Sequence, residues 1–247
     1  MIVREVLAKS VLSKSQIFDY AVNPYVGCAH GCSYCYARFM KRFTGHTEPW
    51  GAFVDVKVNA VELLGREIVR KKPGRTWVSG VCDAYQPLEK RYRLTRGCLE
   101  ILLRHRWPVT VQTRSPLVLR DLDLLRGAPD LEVGFSVTTS DEEIRKLFEP
   151  GAPSIPARLE ALGELHTAGV RTFAMIAPLL PGAEGLGEAL RGRVDRVLID
   201  RMNYTHAHRI YRRHHLEDKL SPRFFEEATR SLRVAFEEQG VECQVVC

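Results

Sequence analysis

Short β-rich segments alternate with longer amphipathic segments along most of the chain. Between the β-rich segments, apolar residues recur at helical spacing, as in residues 59–71 and 94–103. Strands that alternate with helices predict a parallel sheet, and six such units predict an α/β fold of the open, partial (β/α)6 barrel type. The six β-rich segments span residues 19–27, 75–81, 108–114, 131–139, 170–177 and 194–200.

Residues at the expected helix ends support this alternation. Ser140 and Glu143 have the spacing of a capping box, which is typical of a helix start. Ser221 followed by Pro222 predicts another helix start, and Gly240 predicts the end of that helix. This last helix carries four apolar residues on one face, which we expect to pack on the barrel: Phe225, Ala228, Leu232 and Phe236.

The sequence predicts a single domain over residues 1–247. Its 45% hydrophobic content supplies one sizeable core, and no repeat, low-complexity tract or linker divides it. We expect the barrel core at about residues 19–200 and a helical C-terminal extension at 201–247. In such barrels the reactive groups gather at the carboxyl ends of the strands. The formal net charge of +6 is compatible with an anionic partner.

Charge and cysteine use indicate a cellular compartment. The sequence has no run of about eighteen uncharged apolar residues, and charges are scattered through its first residues, so we expect neither a membrane span nor a secretory signal. Seven cysteines are an odd number, and three of them fall within eight residues, which is typical of metal or redox chemistry in a reducing compartment. We therefore expect a cytoplasmic protein.

The densest candidate chemistry lies just beyond the first predicted strand. Cys28, Cys32 and Cys35 form a CxxxCxxC motif, and three thiolates at this spacing can bind three irons of a [4Fe–4S] cluster and leave the fourth iron open to a non-protein ligand. A zinc site that adds His30 as the fourth ligand is one alternative. Plain packing of three small apolar side chains is another.

Six stretches of the sequence resemble the radical S-adenosylmethionine (SAM) enzymes, and among them the small proteins related to spore photoproduct lyase. The resemblance extends over about residues 21–182 and fades after Gly182. Its stretches are NPYVGCAHGCSYCYAR, SGVCDAYQPLE, LTRGCLEILL, RSPLVLRDLDLL, SVTTSDEE and IAPLLPG.

The resemblance implies a reaction and its partners. A cluster reduced by an external donor of the flavodoxin or ferredoxin type would cleave SAM to methionine and a 5′-deoxyadenosyl radical, which would abstract hydrogen from a substrate. Kinship with spore photoproduct lyase favours a DNA lesion or a modified nucleic acid as that substrate. A peptide or small-molecule substrate is the first alternative, and a non-catalytic iron–sulfur or zinc module is the second.

The resemblance also implies SAM contacts. Tyr34 stands at the aromatic position that lies against adenine in such families, although an aromatic ring there is equally consistent with loop packing. Ser79 and Gly80 match the position that holds the methionyl amino group, but the usual Gly-Gly-Glu pattern is absent.

Two later strand ends offer further contacts with SAM. Ser136 and Thr138 are two residues apart in a strand, so they share a face and can reach a ribose; bonds to nearby backbone are the alternative. Ile176, followed by Ala177 and Pro178, would form an apolar wall for adenine or belong to the core.

Three residues are candidates for hydrogen-atom transfer. Cys82 ends the second predicted strand, where sequences of this family commonly have SGVTDPYQP instead of SGVCDAYQP. Spore photoproduct lyase returns a hydrogen atom from a cysteine in this region, but that donor aligns nearer Gly80, so a buried structural thiol is the alternative for Cys82. Tyr34 and Tyr36 match two tyrosines of the family's hydrogen-atom relay.

The remaining cysteines favour packing. Cys98 shares a helical face with apolar residues and is expected in the core. Cys243 and Cys247 would stand about 13 Å apart in an extended strand, too far for a disulfide or a shared small metal site. We therefore predict no second cluster.

A basic stretch follows the last predicted strand. Residues 201–216 contain four arginines and four histidines, interleaved with Tyr204 and Tyr211, and no acidic residue. This composition favours contact with phosphates and bases, and the candidate phosphate contacts are Arg209, Arg212 and Arg213. A solvated helix face is the alternative, as is a metal site that uses His206 and His208.

Overall fold

The computed structural model describes residues 1–246. Their strands, in chain order, are β1 (Ile2–Val6), β2 (Leu12–Lys14), β3 (Tyr20–Val22), β4 (Tyr25–Val26), β5 (Phe53–Lys57), β6 (Thr76–Val78), β7 (Val109–Thr113), β8 (Leu131–Ser136), β9 (Arg171–Ile176), β10 (Arg196–Ile199) and β11 (Glu242–Val245). Their α-helices are α1 (Ala60–Ile68), α2 (Glu89–Tyr92), α3 (Leu94–Arg104), α4 (Leu122–Leu125), α5 (Glu142–Phe148), α6 (Ile155–Thr167), α7 (Leu186–Ala189), α8 (His208–Arg213) and α9 (Pro222–Glu237).

An eight-stranded sheet forms the body of the fold, in the order β11-β10-β9-β8-β7-β6-β3-β2. Neighbouring strands are parallel throughout, except that β2 runs antiparallel to β3 at one edge. In the part of the chain that the structure describes, β2 and β11 are the two edges and do not pair with each other, so the barrel is open. The predicted α/β fold with a partial barrel is confirmed.

The C-terminal extension is mainly helical, as predicted, and it ends in one strand. Helices α8 and α9 lie in it, and Glu242–Val245 form β11, which pairs in parallel with β10. On this edge strand Cys243 and Val245 are partly covered, while Glu242 and Gln244 are exposed. The position of Cys247 lies outside the described residues.

The first predicted strand divides into two short strands that belong to different sheets. β3 pairs with β6 in the large sheet, whereas β4 pairs with β5 in a second sheet of order β1-β5-β4. Pro24 separates the two strands; it has no N–H to donate, and its carbonyl accepts from Lys57 N at 3.0 Å. Asn23 Oδ1 accepts from the backbone N–H groups of Gly80 and Val81, each at 2.9 Å. The chain therefore leaves the large sheet at Asn23, directly before the cysteine motif.

The helices pack on the barrel through continuous apolar faces. In α9, Ala228, Leu232 and Phe236 are buried in the same apolar cluster as the strands, with Phe225 partly buried beside them, as predicted. Ser221 caps this helix by accepting from Phe224 N at 3.2 Å, which confirms the predicted start. Within residues 1–246, none of the helices has the length and apolar character needed to cross a membrane.

The predicted cap of α5 is wrong by one residue. Asp141 caps the helix, because its carboxylate accepts from Glu143 N at 2.8 Å and from Ile144 N at 3.2 Å. Ser140 instead donates its hydroxyl to the Gly182 carbonyl at 2.6 Å, which ties it to the loop after β9. The tertiary contact takes the serine away from the helix start.

Gly134→Ala should test how tightly the barrel wall is packed. A Cβ at Gly134 in β8 would stand 2.0 Å from the Phe173 ring on the neighbouring strand. We expect this overpacking to lower the free energy of unfolding by about 2 kcal/mol, measured by urea denaturation. Gly65→Ala is the matched control, because the nearest atom to its added Cβ is Ile101 Cδ1 at 3.8 Å. It should raise stability by about 0.5–1 kcal/mol through helix propensity. Equal free energies of unfolding of the two variants would contradict the close packing of β8 on the Phe173 ring.

Candidate functional site

A cavity of about 340 Å³ opens at the carboxyl ends of the parallel strands. The three cysteines of the motif contribute to its wall, together with Tyr34 and Tyr36. The ends of four strands supply further residues, which are Ser79, Gly80, Cys82, Gln112, Arg114, Ala177, Pro178 and Asp200. The structure thus brings most of the predicted site residues to one place.

Two consecutive turns shape the cysteine loop. Gly31 N donates to Cys28 O, and Cys35 N donates to Cys32 O, each at 3.2 Å. The fully buried Gln86 forms two hydrogen bonds to the backbone of the first turn. Ala29 N donates to its Oε1 at 3.0 Å, and its Nε2 donates to Gly27 O at 3.2 Å. These bonds fix the backbone of the loop on the side that faces Gln86.

The other side of the loop packs against backbone from distant segments. Ser33 N donates to Phe148 O at 2.8 Å, and Gly151 N donates to His30 O at 3.0 Å. Gly31 adopts φ +61 and lies so close to Gly51 that a Cβ on Gly51 would stand 2.8 Å from Gly31 Cα. Only glycine permits this approach, so the loop is docked on two sides.

The donor set fits an iron–sulfur cluster. Cys28 and Cys32 are buried, and burial raises the pKa of both thiols, that of Cys32 to about 12; Arg114 acts in the opposite direction on Cys32 and Cys35. Three soft sulfur donors from one loop on one cavity wall match the ligand preference of such clusters.

The four-ligand zinc alternative lacks such support. His30 Nδ1 lies 3.3 Å from Asp83 Oδ2, and both side chains are buried together. Among residues 1–246, no group of three His, Cys, Asp or Glu side chains is placed to hold one metal ion; this covers the cysteine motif with His30 as well as His206 and His208. A cluster makes a different demand, because each cysteine binds a different iron.

A buried ion cluster fixes Tyr34. The Tyr34 hydroxyl donates to the Glu149 carboxylate and accepts from Arg114 Nη2 at 3.0 Å. Thr138 Oγ1 donates to the same carboxylate at 3.0 Å, and Arg158 forms an ion pair with it. Burial alone would raise the pKa of Glu149, but Arg158 and Arg114 outweigh it and lower that pKa to about 2. Glu149 is therefore a carboxylate at neutral pH, and Tyr34 cannot turn freely.

A second buried carboxylate positions Arg114. Asp83 accepts from Thr113 Oγ1 at 2.6 Å and from Arg114 N at 2.7 Å. Burial raises the pKa of Asp83, but His30 and Thr113 outweigh it and lower the pKa to about 2. The end of β7 is thus tied to the segment that carries Cys82.

Cys82 and Tyr36 border the cavity near Gly80. Cys82 Sγ lies 3.0 Å from Ser79 Oγ, and burial raises the pKa of the Cys82 thiol to about 12. The thiol is therefore protonated at neutral pH. The Tyr36 hydroxyl donates to the Gly80 carbonyl, which places the phenol between the cysteine loop and the end of β6.

Three predicted SAM contacts lie behind the cavity wall. Ser136 Oγ accepts from Gln112 Nε2 at 3.1 Å, and Gln112 itself faces the cavity. Thr138 belongs to the Glu149 cluster, and Ile176 is fully buried in the barrel core, while its neighbour Ala177 lines the cavity. Their roles toward SAM stay predictions.

The basic stretch folds beside the cysteine loop. Tyr211 is 1% exposed and packs its ring on Phe148 at a centroid distance of 4.8 Å, so it is not available to stack on a base. Arg209, Arg212 and Arg213 lie on α8 and are exposed. Cys98 is fully buried in α3, as predicted.

Sequence reasoning missed three residues that shape the site. Arg114 directly follows a strand, so the rule that found Ser79 could have found it. Gln86 had no signal besides its place in a family-like stretch. Glu149 had none, because its side-chain partners are distant in sequence: Thr138 is 11 residues away and Tyr34 is 115 residues away.

Comparison with known proteins identifies relatives. A family model described as the radical SAM superfamily matches residues 22–184. An uncharacterized protein of Methanocaldococcus jannaschii is 35% identical over 179 residues, which cover 72% of this chain and 67% of that protein. An uncharacterized protein of Mycobacterium tuberculosis is 34% identical over 198 residues, which cover 75% of this chain and 58% of that protein. The chain thus matches less than two thirds of the mycobacterial relative.

A solved structure shows the same fold. Spore photoproduct lyase complexed with dinucleoside spore photoproduct superposes with a TM-score of 0.68, over 98% of this chain and 81% of that chain. The two sequences are 17% identical, so the similarity extends to the fold alone.

Glu149→Gln should show that the buried carboxylate holds the site together. Removing its charge leaves Arg158 buried without a counter-ion, so we expect the free energy of unfolding at pH 7 to fall by about 3 kcal/mol in urea denaturation. Because the pKa falls from its ordinary 4.5 to about 2 on folding, the difference from wild type should shrink as pH drops from about 4.5 toward 2.

Glu143→Gln is the control for this substitution. Glu143 lies on the same helix and pairs with Lys146, but both side chains are largely exposed. Its replacement should change stability by less than about 0.5 kcal/mol. A Glu149→Gln variant as stable as this control would refute the role of the cluster.

Proposed function

The chain belongs to the radical SAM superfamily, and from this we propose that it is an enzyme that binds a [4Fe–4S] cluster through Cys28, Cys32 and Cys35 and cleaves SAM reductively. The observation that supports this most directly is the shared cavity, which the three cysteines line together with polar side chains from three strand ends. A structural metal site would not require an adjoining cavity of about 340 Å³.

The chain's own residues would bind and orient the cofactors and would shield the reactive intermediate from water. When bound, the cluster and SAM would supply a 5′-deoxyadenosyl radical that abstracts hydrogen from the substrate. Tyr34, held by Glu149, offers a fixed ring beside the cysteines, and Ser79 and Gly80 offer polar groups across the cavity. Trp50 and Trp77 contribute apolar walls, which would keep water from a reactive intermediate.

Cys82 would return a hydrogen atom to the substrate radical and become a thiyl radical. The thiyl radical would regain a hydrogen atom from 5′-deoxyadenosine through Tyr36 and Tyr34, which would form the SAM-derived radical again. The support for this role is local: a protonated thiol lines the cavity, and Tyr36 contacts the neighbouring Gly80. An S–H bond is weak enough to give up hydrogen to a carbon radical, whereas the threonine of similar sequences is not suited to this.

A DNA lesion or a modified nucleic acid is the substrate that we propose. Exposed Arg209, Arg212 and Arg213 lie on α8, whose buried Tyr211 shares an apolar cluster with the cysteine loop. Phosphates bound there would lie on the same side of the protein as that loop. The solved protein of similar fold was complexed with a dinucleoside photoproduct. A donor of the flavodoxin or ferredoxin type would reduce the cluster, which suits a cytoplasmic enzyme.

The cluster is tested by iron content and SAM cleavage. Anaerobically reconstituted protein should hold about four irons per chain, show an electron paramagnetic resonance signal that SAM alters, and release 5′-deoxyadenosine once reduced. Replacing Cys28, Cys32 and Cys35 by Ala should abolish all three properties.

Two other cysteines supply the controls. Cys98→Ala removes a thiol from the core and should keep the irons. Cys82→Ala should also keep the irons, but its substrate radical should form side products. Stoichiometric zinc without iron uptake in the wild type would overturn the proposed function, and unchanged products in Cys82→Ala would assign that thiol to packing.

The nucleic-acid substrate is tested by salt dependence. Each phosphate contact releases counter-ions, so replacing Arg209, Arg212 and Arg213 by Gln should flatten the dependence of log affinity on log salt by up to about three contacts' worth. The control is the same change of charge on α9, at Arg223, Arg230 and Arg233, which should leave that slope nearly unchanged. DNA and RNA affinity that is undetectable at low salt would favour a peptide or small-molecule substrate.

A further inference from the structure

Four aromatic rings from two distant segments form a row at the mouth of the cavity. Phe39 and Tyr36 belong to the 3-10 helix Tyr36–Phe43, and Tyr204 and His206 follow β10. Along this aromatic row the centroid separations are 6.5 Å from Phe39 to Tyr36, 6.3 Å from Tyr36 to Tyr204 and 5.7 Å from Tyr204 to His206. The interplanar angles are 27°, 22° and 5°. The rings therefore face nearly the same direction.

The aromatic row remains open to solvent. Phe39 is 42% exposed, Tyr36 36% and Tyr204 49%. Tyr36 and Tyr204 also line the cavity, so the row leads from the cavity to the protein surface. An exposed run of apolar rings that adjoins a cavity indicates a binding surface, because large side chains normally lose contact with water on folding.

Positive charge surrounds the aromatic row. Residues 36–43 contain Arg38, Lys41 and Arg42, and neither they nor residues 201–216 include an acidic residue. The carboxylates of Asp83 and Asp200 line the cavity itself. The Arg42 guanidinium is exposed and lies over the rings of Phe39, at 5.4 Å, and of Phe43, at 4.7 Å. Aromatic rings flanked by cations are typical of surfaces that bind nucleic-acid strands, since bases stack on the rings and phosphates pair with the cations.

We propose that the aromatic row stacks the unpaired bases of a nucleic-acid strand and so guides one base into the cavity. This inference rests on the proposed function, whose cavity it shares. The nearly parallel orientation of the rings favours bases over a protein partner, because a stack of bases offers successive parallel faces and a folded protein surface does not. Bases within a duplex have their faces covered by neighbours, so the site would select single strands or displaced bases.

Ring deletion tests the stacking. Affinity for a fluorescein-labelled thymidine oligonucleotide of about 15 nucleotides should fall about tenfold in Phe39→Ala and in Tyr204→Ala, measured by fluorescence anisotropy on the reconstituted protein. Tyr204→Phe keeps the ring and should bind like wild type. Because no charge is lost, the alanine variants should keep the wild-type salt dependence, unlike the arginine variants of α8.

Two further ligands sharpen the test, one of equal charge without bases and one with its bases paired. A strand of equal length built from abasic sites carries the same phosphates without rings, so it should bind more weakly to wild type and be insensitive to Phe39→Ala. A duplex of the same sequence should bind about tenfold more weakly than the single strand at equal salt. Equal affinity for the abasic and thymidine strands, or unchanged thymidine binding in both alanine variants, would overturn the proposal.

SAM cleavage without oligonucleotide separates this inference from the proposed function. Reduced protein that releases 5′-deoxyadenosine but binds the two strands equally would retain the function and lose the aromatic row as a base site. Protein that stacks thymidine but never cleaves SAM would retain the aromatic row as a base site and lose the proposed function. Slower reduction of the cluster by a flavodoxin in Phe39→Ala, with unchanged thymidine binding, would overturn the proposal in favour of donor docking.

Discussion

The carboxylate of Glu149 is the constraint on which the site depends. It is fully buried, and its partners come from the cysteine loop, the end of β7, the segment after β8 and helix α6. A buried ion cluster of this kind adds little net stability over an apolar core, but losing one partner is costly, so the arrangement has few alternatives. One residue at the end of α5 thus sets the distance between the loop and the strands that face it.

The cysteine loop has one side that is bonded to the barrel and one side that faces solvent. Toward the barrel, the cysteine loop is bonded to Gln86 and to the backbone of Phe148, and it abuts Gly51. Toward solvent, Tyr36 has one anchor, the Gly80 carbonyl. The cofactor and substrate of the proposed function would need both properties, and the chain provides them on the two sides of one short loop.

How much the sequence predicts follows from how local each signal is. The alternation of strands and helices, the Ser221 cap and the spacing of Cys28, Cys32 and Cys35 are set within a few residues, so they could be predicted. Residues 19–27 were predicted as one strand, and their switch to a second sheet after Pro24 depends on β5 some thirty residues later. Glu149 and the pairing of Tyr36 with Tyr204 depend on contacts that only the folded barrel creates.

The docking of the cysteine loop has a consequence for how the protein is made. Its two internal turns are local, but the bonds that give it shape join Ala29 to Gln86 and Ser33 to Phe148. Contacts this far apart in sequence form late, because the intervening chain must first be ordered. During synthesis on the ribosome, the loop emerges more than a hundred residues before Phe148. Until Phe148 has emerged, the loop lacks this backbone hydrogen bond. Under the proposed function, metal delivery to the native loop would therefore follow translation of the barrel.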